Sequence, residues 1–401
     1  MLKTFKVKNF KNFKDEFVFD LSSTKNYEFN PECVQDGMVK NGIVYGPNGC
    51  GKTNLGYAIF DIQTHLTNDK TDVFYGTNYL NAESRDKKAK FSYTFQFGND
   101  TVEYEYTKES VDKLVDEAVK INGREVISLH RQKSTQAFID LKGTESLNRN
   151  FAASDAIEIT ETLSVVKFVI GSSLLESNQE NQVFKKFASF IKYMRFLTTE
   201  ITNAVKASPK EIANVILAKE NGLKDFEAFL QRVGVPCRLE TMDISGEKHI
   251  AFDFGDKKID FSTNASTGTL SLTFQYIILV HFGILRSLIC QGVSEASEEK
   301  ELNSRKPLLP DFTPFIFIDE FDAFYHYAVA REMVEVLKKI GCQFVLTTHN
   351  TGIMSNDLLR PDCYFIMSNT DIAPAYSFTD KELRKAHNIE KMYRAGVFND
   401  G

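Results

Sequence analysis

The chain has 401 residues, of which 42% are hydrophobic and 25% charged, and its net charge at pH 7 is −6. This length exceeds that of a usual single domain, so it predicts a main domain with an inserted subdomain. The acidic balance argues against a protein that attracts nucleic acid through its overall charge.

Cysteine usage and hydropathy favour a reduced, cytoplasmic protein. The six cysteines form no CxxC pair and no spacing typical of a zinc site. The N-terminal residues lack the apolar core of a signal peptide. The most apolar stretch, Thr273–Cys290, is interrupted by Gln275, His281 and Arg286. We therefore expect a buried helix there and no membrane partner.

The first part of the chain is predicted to be rich in strands. Residues 1–20 alternate between apolar and polar, and Gly42–Tyr45 form an apolar strand before a glycine-rich loop. Asn54–Thr67 has the pattern of a helix. Aromatic residues alternate on both sides of Gly98-Asn99-Asp100, which predicts a hairpin, and Ile121-Asn122-Gly123 predicts a second tight turn.

From about residue 155 to 235 the pattern becomes helical. Apolar residues recur at helical spacing at Phe184, Phe187, Ile191 and Met194. Ser208-Pro209-Lys210-Glu211 is a capping box with proline at the first helical position.

Strands are expected again after this helical block. They are predicted at Arg238–Ile244, His249–Phe254 and Lys258–Phe261, and the charged stretch Ser294–Lys306 predicts a loop. We predict three parts: an N-terminal lobe over 1–154, a helical insertion over 155–235 and a C-terminal lobe over 236–401.

Residues 46–53 read Gly-Pro-Asn-Gly-Cys-Gly-Lys-Thr and match the phosphate-binding pattern GxxxxGK[ST]. Glycines let such a loop turn its backbone N–H groups towards phosphates, and the following helix adds its positive N-terminal end. We predict that ATP lies along Asn48, Gly49, Cys50 and Gly51. In this prediction Lys52 reaches the β- and γ-phosphates, and the Thr53 hydroxyl is a ligand of Mg²⁺.

Two acidic residues follow a strand that is predicted to be buried. Phe315–Ile318 is a continuous apolar run and ends in Asp319-Glu320. In a phosphate-loop protein, an acid at this place holds Mg²⁺ through water, which predicts Asp319 as a metal residue. Glu320 is suited to orient or deprotonate the attacking water and is the predicted catalytic residue.

A histidine follows the next predicted strand. A helix over Ala328–Ile340 and a strand over Gln343–Leu346 lead into Thr347-Thr348-His349. At a strand end beside the other motifs, His349 is predicted to contact the γ-phosphate and report its presence.

The order of these parts resembles the ABC-type ATPases, the superfamily that includes SMC, RecF and the overcoming-lysogenization-defect (OLD) ATPases. Ala265–Thr269 resembles their signature segment in the S-x-G-T form of OLD-like abortive-infection ATPases, 51 positions before Asp319 (319 − 268). Phe5–Phe10 with Phe13 resembles the start of RecF and SMC heads. Segments near residues 222–234, 360–362 and 388–393 also look like the abortive-infection group.

The resemblance implies an α/β fold: a P-loop ABC-type head with a parallel-sheet core, an antiparallel β subdomain and a helical insertion. It implies that Ser266 and Gly268, at the start of a helix expected from Leu270, contact ATP bound by another subunit. The working form would be a homodimer or a higher homo-oligomer.

Two parts of the family pattern are not matched. The usual dimer-contact aspartate segment is replaced by Phe321-Asp322-Ala323-Phe324-Tyr325-His326, in which Asp322 and His326 are candidate substitutes. The family pattern does not locate the glutamine that senses Mg²⁺ in ABC heads, and Gln63 and Gln96 are the candidates.

The resemblance leads to two expectations of function. The favoured one is a regulatory ATPase of an antiphage, abortive-infection system that controls a separate protein effector, such as a nuclease or toxin. The chain itself has no recognisable nuclease constellation, and the helical block would be the partner platform because it interrupts the head. The alternative is a RecF-like DNA-repair ATPase that acts on DNA, so direct binding of nucleic acid stays open.

Overall fold

The computed structural model describes residues 1–67, 75–151, 163–198, 209–218, 220–281, 315–324 and 326–398. Within them the strands are, in chain order, β1 (Leu2–Lys8), β2 (Phe17–Asp20), β3 (Val34–Gln35), β4 (Met38–Val39), β5 (Asn41–Tyr45), β6 (Ala89–Phe97), β7 (Asp100–Ser110), β8 (Lys113–Ile121), β9 (Arg124–His130), β10 (Phe138–Ile139), β11 (Arg195–Leu197), β12 (Leu239–Ile244), β13 (Glu247–Asp253), β14 (Lys258–Asp260), β15 (Phe315–Ile318), β16 (Gln343–Thr347), β17 (Tyr364–Met367) and β18 (Ile372–Pro374). The α-helices are α1 (Lys52–Leu66), α2 (Val165–Ser172), α3 (Gln179–Tyr193), α4 (Pro209–Leu217), α5 (Gly222–Arg232), α6 (Phe261–Asn264), α7 (Thr267–His281), α8 (Tyr327–Ile340) and α9 (Ile389–Arg394).

A six-stranded sheet in the order β11-β15-β16-β5-β17-β18 forms the centre of the fold. Its first five strands are parallel, and only β18 runs antiparallel to its neighbour. The apolar runs that predicted β5, β15 and β16 are buried along their whole length, as expected of parallel strands covered on both faces. Because parallel strands end at the same edge, the residues after these three strands are brought together.

A seven-stranded antiparallel sheet in the order β10-β9-β8-β7-β6-β1-β2 forms the second layer. The predicted hairpin of β6 and β7 is confirmed, with Phe97 paired to Asp100. The predicted turn between β8 and β9 is confirmed as well. Asn122 and Gly123 have φ values of 51° and 79°, which a type I′ turn requires at both central positions.

Helix α1 lies between the two sheets. Its backbone carbonyls at Ala58 and Ile59 accept hydrogen bonds from the Tyr93 hydroxyl of the antiparallel sheet. On the other side, the Phe60 ring stacks on Phe196 of β11 at 5.4 Å between centroids. The helix that follows the phosphate loop is thus held from both sides.

The predicted helical insertion contains one strand of the central sheet. Helices α2 to α5 agree with the helical pattern, and α4 begins at Pro209 as predicted, although Ser208 lies outside the described residues. Strand β11, in the middle of 155–235, pairs in parallel with β15. The division at residues 154 and 235 stays a prediction, and the helical block is not separate from the sheet.

The C-terminal part begins with a small antiparallel sheet of β12, β13 and β14, close to the predicted strands. The predicted loop over Ser294–Lys306 and the end of the apolar stretch Thr273–Cys290 lie outside the described residues. Within the described part of the chain, no helix combines the length and apolarity that a membrane crossing requires.

Candidate nucleotide-binding site

The phosphate loop connects β5 directly to α1. Gly49 and Gly51 have left-handed φ values of 77° and 100°, and α1 begins at Lys52 without a side-chain cap. The first amides of α1 are therefore not satisfied by a capping side chain. A Cβ atom on Gly46 would overlap the Met367 carbonyl oxygen, so only glycine fits there. This conformation agrees with the predicted cradle for phosphates.

The Lys52 side chain folds over the loop that it terminates. Its Nζ donates hydrogen bonds to the carbonyl oxygens of Gly46 at 3.0 Å and Pro47 at 3.1 Å. Burial lowers the pKa of Lys52, while the nearby charges of Cys50, Asp319 and Glu320 act in the opposite direction. The ammonium group thus lies at the centre of the predicted site.

Thr53 and Asp319 meet although 266 positions separate them in the chain. The Thr53 hydroxyl donates to Asp319 Oδ2 at 2.6 Å, and the Thr347 hydroxyl donates to Asp319 Oδ1 at 2.6 Å. Mg²⁺ is usually held by one or two carboxylates together with the phosphates of the substrate. A hydroxyl and a carboxylate side by side beside a phosphate loop fit this donor set, so these residues could hold Mg²⁺.

Glu320 turns the chain sharply out of β15. Its φ of 48° is left-handed, a conformation that costs a non-glycine residue about 1–2 kcal/mol. Two contacts to β16 hold the turn: the Glu320 N–H donates to the Thr347 hydroxyl at 2.8 Å, and the Phe321 N–H to the Thr347 carbonyl at 3.2 Å. Such strain concentrates at functional sites, which suits the predicted catalytic role.

His349 lies at the end of β16 and is exposed. Desolvation and the positive charge of Lys52 lower its pKa, and the charges of Glu320, Asp322 and Asp319 oppose this shift. Because β16 pairs in parallel with both β15 and β5, His349 lies near the predicted phosphate and metal residues that follow those strands. The imidazole is therefore expected to be neutral at pH 7 and able to donate one hydrogen bond.

Asp322 lies beneath this strand end and does not face solvent. Its Oδ1 accepts a hydrogen bond from the Thr348 hydroxyl at 2.6 Å, and burial raises its pKa. This buried position does not suit the suggestion that Asp322 contacts a second copy. His326 is exposed, and its Nδ1 accepts a hydrogen bond from the Ala328 N–H at the start of α8.

The signature segment forms the start of α7. The helix begins at Thr267, three residues before the predicted Leu270, because Ser266 acts as its cap: Ser266 Oγ accepts from the Thr269 N–H at 3.1 Å. A Cβ atom on Gly268 would lie 2.7 Å from the Phe324 carbonyl oxygen. Among the described residues, neither Ser266 nor Gly268 hydrogen-bonds to the phosphate loop of its own chain.

The two candidate glutamines are engaged elsewhere. Gln63 Nε2 donates to the carbonyl oxygens of Ile191 and Met194, and Gln63 lies about 16 Å along α1 from Lys52. Gln96 Nε2 donates to the Gly98 carbonyl oxygen in the β6–β7 turn. Neither residue is placed to sense Mg²⁺ at Thr53 and Asp319.

One protein family matches across residues 43–355, a span that includes the phosphate loop, the signature segment, Asp319, Glu320 and His349. Its description is "AAA domain, putative AbiEii toxin, Type IV TA system". The chain belongs to this AAA family. A comparison with curated protein sequences gives no significant match.

The fold is similar to solved SMC heads. An SMC head bound to the C-winged helix domain of ScpA is 16% identical with a TM-score of 0.49, over 93% of this chain and 97% of that chain. The SMC head domain from Thermotoga maritima is 13% identical with a TM-score of 0.42, over 93% and 98%. An SMC head from Pyrococcus furiosus, bound to the C-terminal domain of ScpA, is 14% identical with a TM-score of 0.42, over 93% and 95%.

Membership of the AAA family, together with the sheet topology, confirms the predicted α/β fold class, with a parallel-sheet core and an antiparallel β subdomain. The structure also adds residues to the site that were not among the predicted site residues. Thr347 bonds both Asp319 and Glu320, and Asn12 lies against the phosphate loop. The Thr347-Thr348-His349 run was a signal for the first. The second lies between Phe10 and Phe13, in the segment that resembles RecF and SMC heads, but no role was predicted for it.

Proposed function

We propose that the protein binds Mg·ATP at Asn48–Thr53 and hydrolyses it. The observation that supports this most directly is the hydrogen bond between Thr53 and Asp319, because it joins the two motifs that a nucleotide-hydrolysing site needs. The nearby Lys52, Glu320 and His349 complete the set of side chains.

Each side chain would have a separate task in the reaction. Bound Mg²⁺ would neutralise phosphate charge, with Thr53 and Asp319 as its protein partners. Lys52 would exchange its bonds to Gly46 and Pro47 for bonds to phosphate oxygens. Glu320 would orient the attacking water and accept its proton, and a neutral His349 would donate a hydrogen bond to the γ-phosphate.

The site would be completed by a second copy of the chain. Ser266 is exposed at the start of α7 and makes no hydrogen bond to its own phosphate loop within the described residues. Amides at a helix start attract anions, so Ser266 and Gly268 are suited to the γ-phosphate held by a partner. Exposed Phe324, whose carbonyl oxygen lies against Gly268, would add apolar contact between paired heads.

The cellular role that we propose is a regulatory ATPase of an antiphage, abortive-infection system in the cytoplasm. The description of its family names a putative toxin and a type IV toxin–antitoxin system, which supports a place in such a system. In this proposal the effector, such as a nuclease or toxin, is a separate protein. The helical block at 155–235 is the proposed effector platform. ATP-dependent pairing of heads would hold or release the effector.

The Glu320→Gln variant tests the proposal. It should bind ATP with magnesium as tightly as the wild type, yet hydrolyse it about 10²- to 10⁴-fold more slowly and accumulate as a paired assembly, since binding groups remain but the base is lost. Radiolabelled ATP binding, phosphate release and size-exclusion chromatography would measure this. Glu332→Gln on α8 is the matched control.

Three results would contradict parts of the proposal. Full hydrolysis by Glu320→Gln would remove Glu320 from the mechanism. Equal ATP binding by wild type and Lys52→Ala would exclude the phosphate loop as the binding site. Hydrolysis stimulated by DNA in the purified protein would favour the RecF-like alternative.

A further inference from the structure

Asn12 reaches the phosphate loop from the turn between β1 and β2. Its Nδ2 donates to the Cys50 carbonyl oxygen at 3.3 Å, and its Oδ1 accepts from Asn54 Nδ2 at 2.7 Å. The first partner lies in the phosphate loop and the second in the first turn of α1. The amide of Asn12 therefore spans Gly51–Thr53 from the outside.

Gly51 and Asn12 are in direct contact. A Cβ atom on Gly51 would overlap the Asn12 side chain, with Asn12 Oδ1 only 2.7 Å away. Gly51 also has a left-handed φ of 100°, so the loop passes Asn12 in a conformation that favours glycine. The close approach leaves no space for other residues between the two.

The hydrogen bond to Cys50 fixes the direction of the next amide. In a trans peptide the C=O and the N–H point to opposite sides. The structure contains no cis peptide among the described residues, so holding the Cys50 carbonyl towards Asn12 turns the Gly51 N–H away from Asn12. Backbone N–H groups of a phosphate loop face the phosphates, so an amide turned away from Asn12 is suited to bind one.

The turn that carries Asn12 is itself held in place. Phe10 and Phe13 exchange backbone hydrogen bonds at 3.0 and 2.8 Å, and the Lys11 N–H donates to the Tyr79 carbonyl oxygen at 3.0 Å. Asn81 Nδ2 donates to the Lys11 carbonyl oxygen at 2.7 Å. The Asn12 amide is thus presented from a turn with little freedom, as a supporting residue should be.

We propose that Asn12 is a positioning residue that preorients the Gly51 N–H for the phosphates of the nucleotide. It would act through the loop and not by touching the reacting atoms. Because β1 and β2 belong to the antiparallel sheet, Asn12 also ties the phosphate loop to that sheet. This inference rests on the proposed nucleotide binding and adds to it the residue that shapes the loop.

Three variants separate the effects of the two hydrogen bonds that the Asn12 side chain makes. Asn12→Ala removes both hydrogen bonds, Asn12→Asp keeps the acceptor for Asn54 but loses the donor to Cys50, and Asn54→Ala removes only the second bond.

One net hydrogen bond corresponds to about a fivefold change in an equilibrium constant. We expect Asn12→Ala to raise the Kd and KM for Mg·ATP about fivefold, and Asn12→Asp to raise them at least as much. Asn54→Ala should change them less than twofold, and kcat should stay within about twofold throughout.

Binding would be measured by equilibrium dialysis with radiolabelled ATP, together with steady-state kinetics and thermal unfolding without nucleotide. Asn99→Ala, in the exposed β6–β7 turn, is the matched control. A rise in Kd with an unchanged Tm supports positioning of the loop. An unchanged Kd in both Asn12 variants overturns the inference. So does a Kd that rises across the variants only as far as their Tm falls. Wild-type protein without ATP binding would instead overturn the proposed function.

Discussion

The proposed site has two halves, the phosphate-loop side and the signature side. They differ in how many of their polar groups are already bonded to one another within one chain. On the side of the phosphate loop, Thr53, Asp319 and Thr347 are linked by short hydrogen bonds, and both Asp319 oxygens have partners. On the signature side, Ser266 caps its own helix and is exposed. From this difference we propose that one copy binds the nucleotide and that hydrolysis needs two.

The largest effect is expected at the signature side. Ser266→Arg would place a bulky cation at the surface that meets the partner's nucleotide. We expect hydrolysis to fall about 10²-fold or more, because the γ-phosphate loses its second set of donors, while ATP binding to the single head stays within about threefold. Phosphate release and ATP binding would be measured side by side. Normal hydrolysis by a paired Ser266→Arg protein would contradict the difference between the halves.

A smaller effect is expected at the junction of β15 and β16. Thr347→Val removes the hydroxyl that donates to Asp319 and accepts from the Glu320 N–H. Loss of two hydrogen bonds of about 1 kcal/mol each should lower kcat about tenfold or more, because the strained turn at Glu320 is less well held. Thr347→Ser keeps the hydroxyl and is the matched control. If Val and Ser variants have equal kcat, Thr347 has no such role.

The smallest expected effect is on the pH dependence of folding stability, and it arises in α1, the helix that follows the phosphate loop. His65 of α1 is buried and bonds the Tyr104 hydroxyl at 2.8 Å, and burial together with the Lys108 charge lowers its pKa well below 6.5. The unfolded chain therefore binds a proton below pH 6.5 that the folded protein does not, so stability falls as the pH is lowered. A histidine that stays neutral when folded contributes a loss of up to ~1.4 kcal/mol at pH 5.5.

Thermal unfolding at pH 7.5 and 5.5 would measure the loss of folding stability on acidification in wild type and His65→Gln. We expect the variant to lose less stability on acidification. Glu117, a buried acid whose pKa is raised by burial, acts in the opposite direction, so the comparison between variants isolates His65. An equal loss in both proteins would mean that His65 is not the group responsible.

The sequence predicted those parts of the fold that depend on local pattern. The strands β5, β15 and β16 are apolar runs, and the phosphate loop is a continuous motif. Strand β11 has only three residues and lies in a range with a helical pattern. Its strand conformation depends on pairing with β15, so the local sequence did not predict it.

The sequence likewise predicted the parts of the site that lie in local motifs, and not the contacts that depend on packing. Lys52, Thr53, Asp319, Glu320 and His349 were expected in one place from their motifs, and the structure brings them together. The contact of Asn12 with Cys50 spans 38 positions and depends on the packing of the β1–β2 turn. Likewise the left-handed φ of Glu320 follows from the strand pairing around it and not from its residue type.

A mixing experiment tests most directly whether two copies share each site. Lys52→Ala lacks its own phosphate-loop lysine, and Ser266→Arg lacks a working signature segment, so each variant alone should hydrolyse almost no ATP. Mixed in equal amounts, they should form pairs with one intact composite site and recover a clear fraction of wild-type phosphate release. No recovery in a mixture that is shown to form mixed pairs would contradict the account.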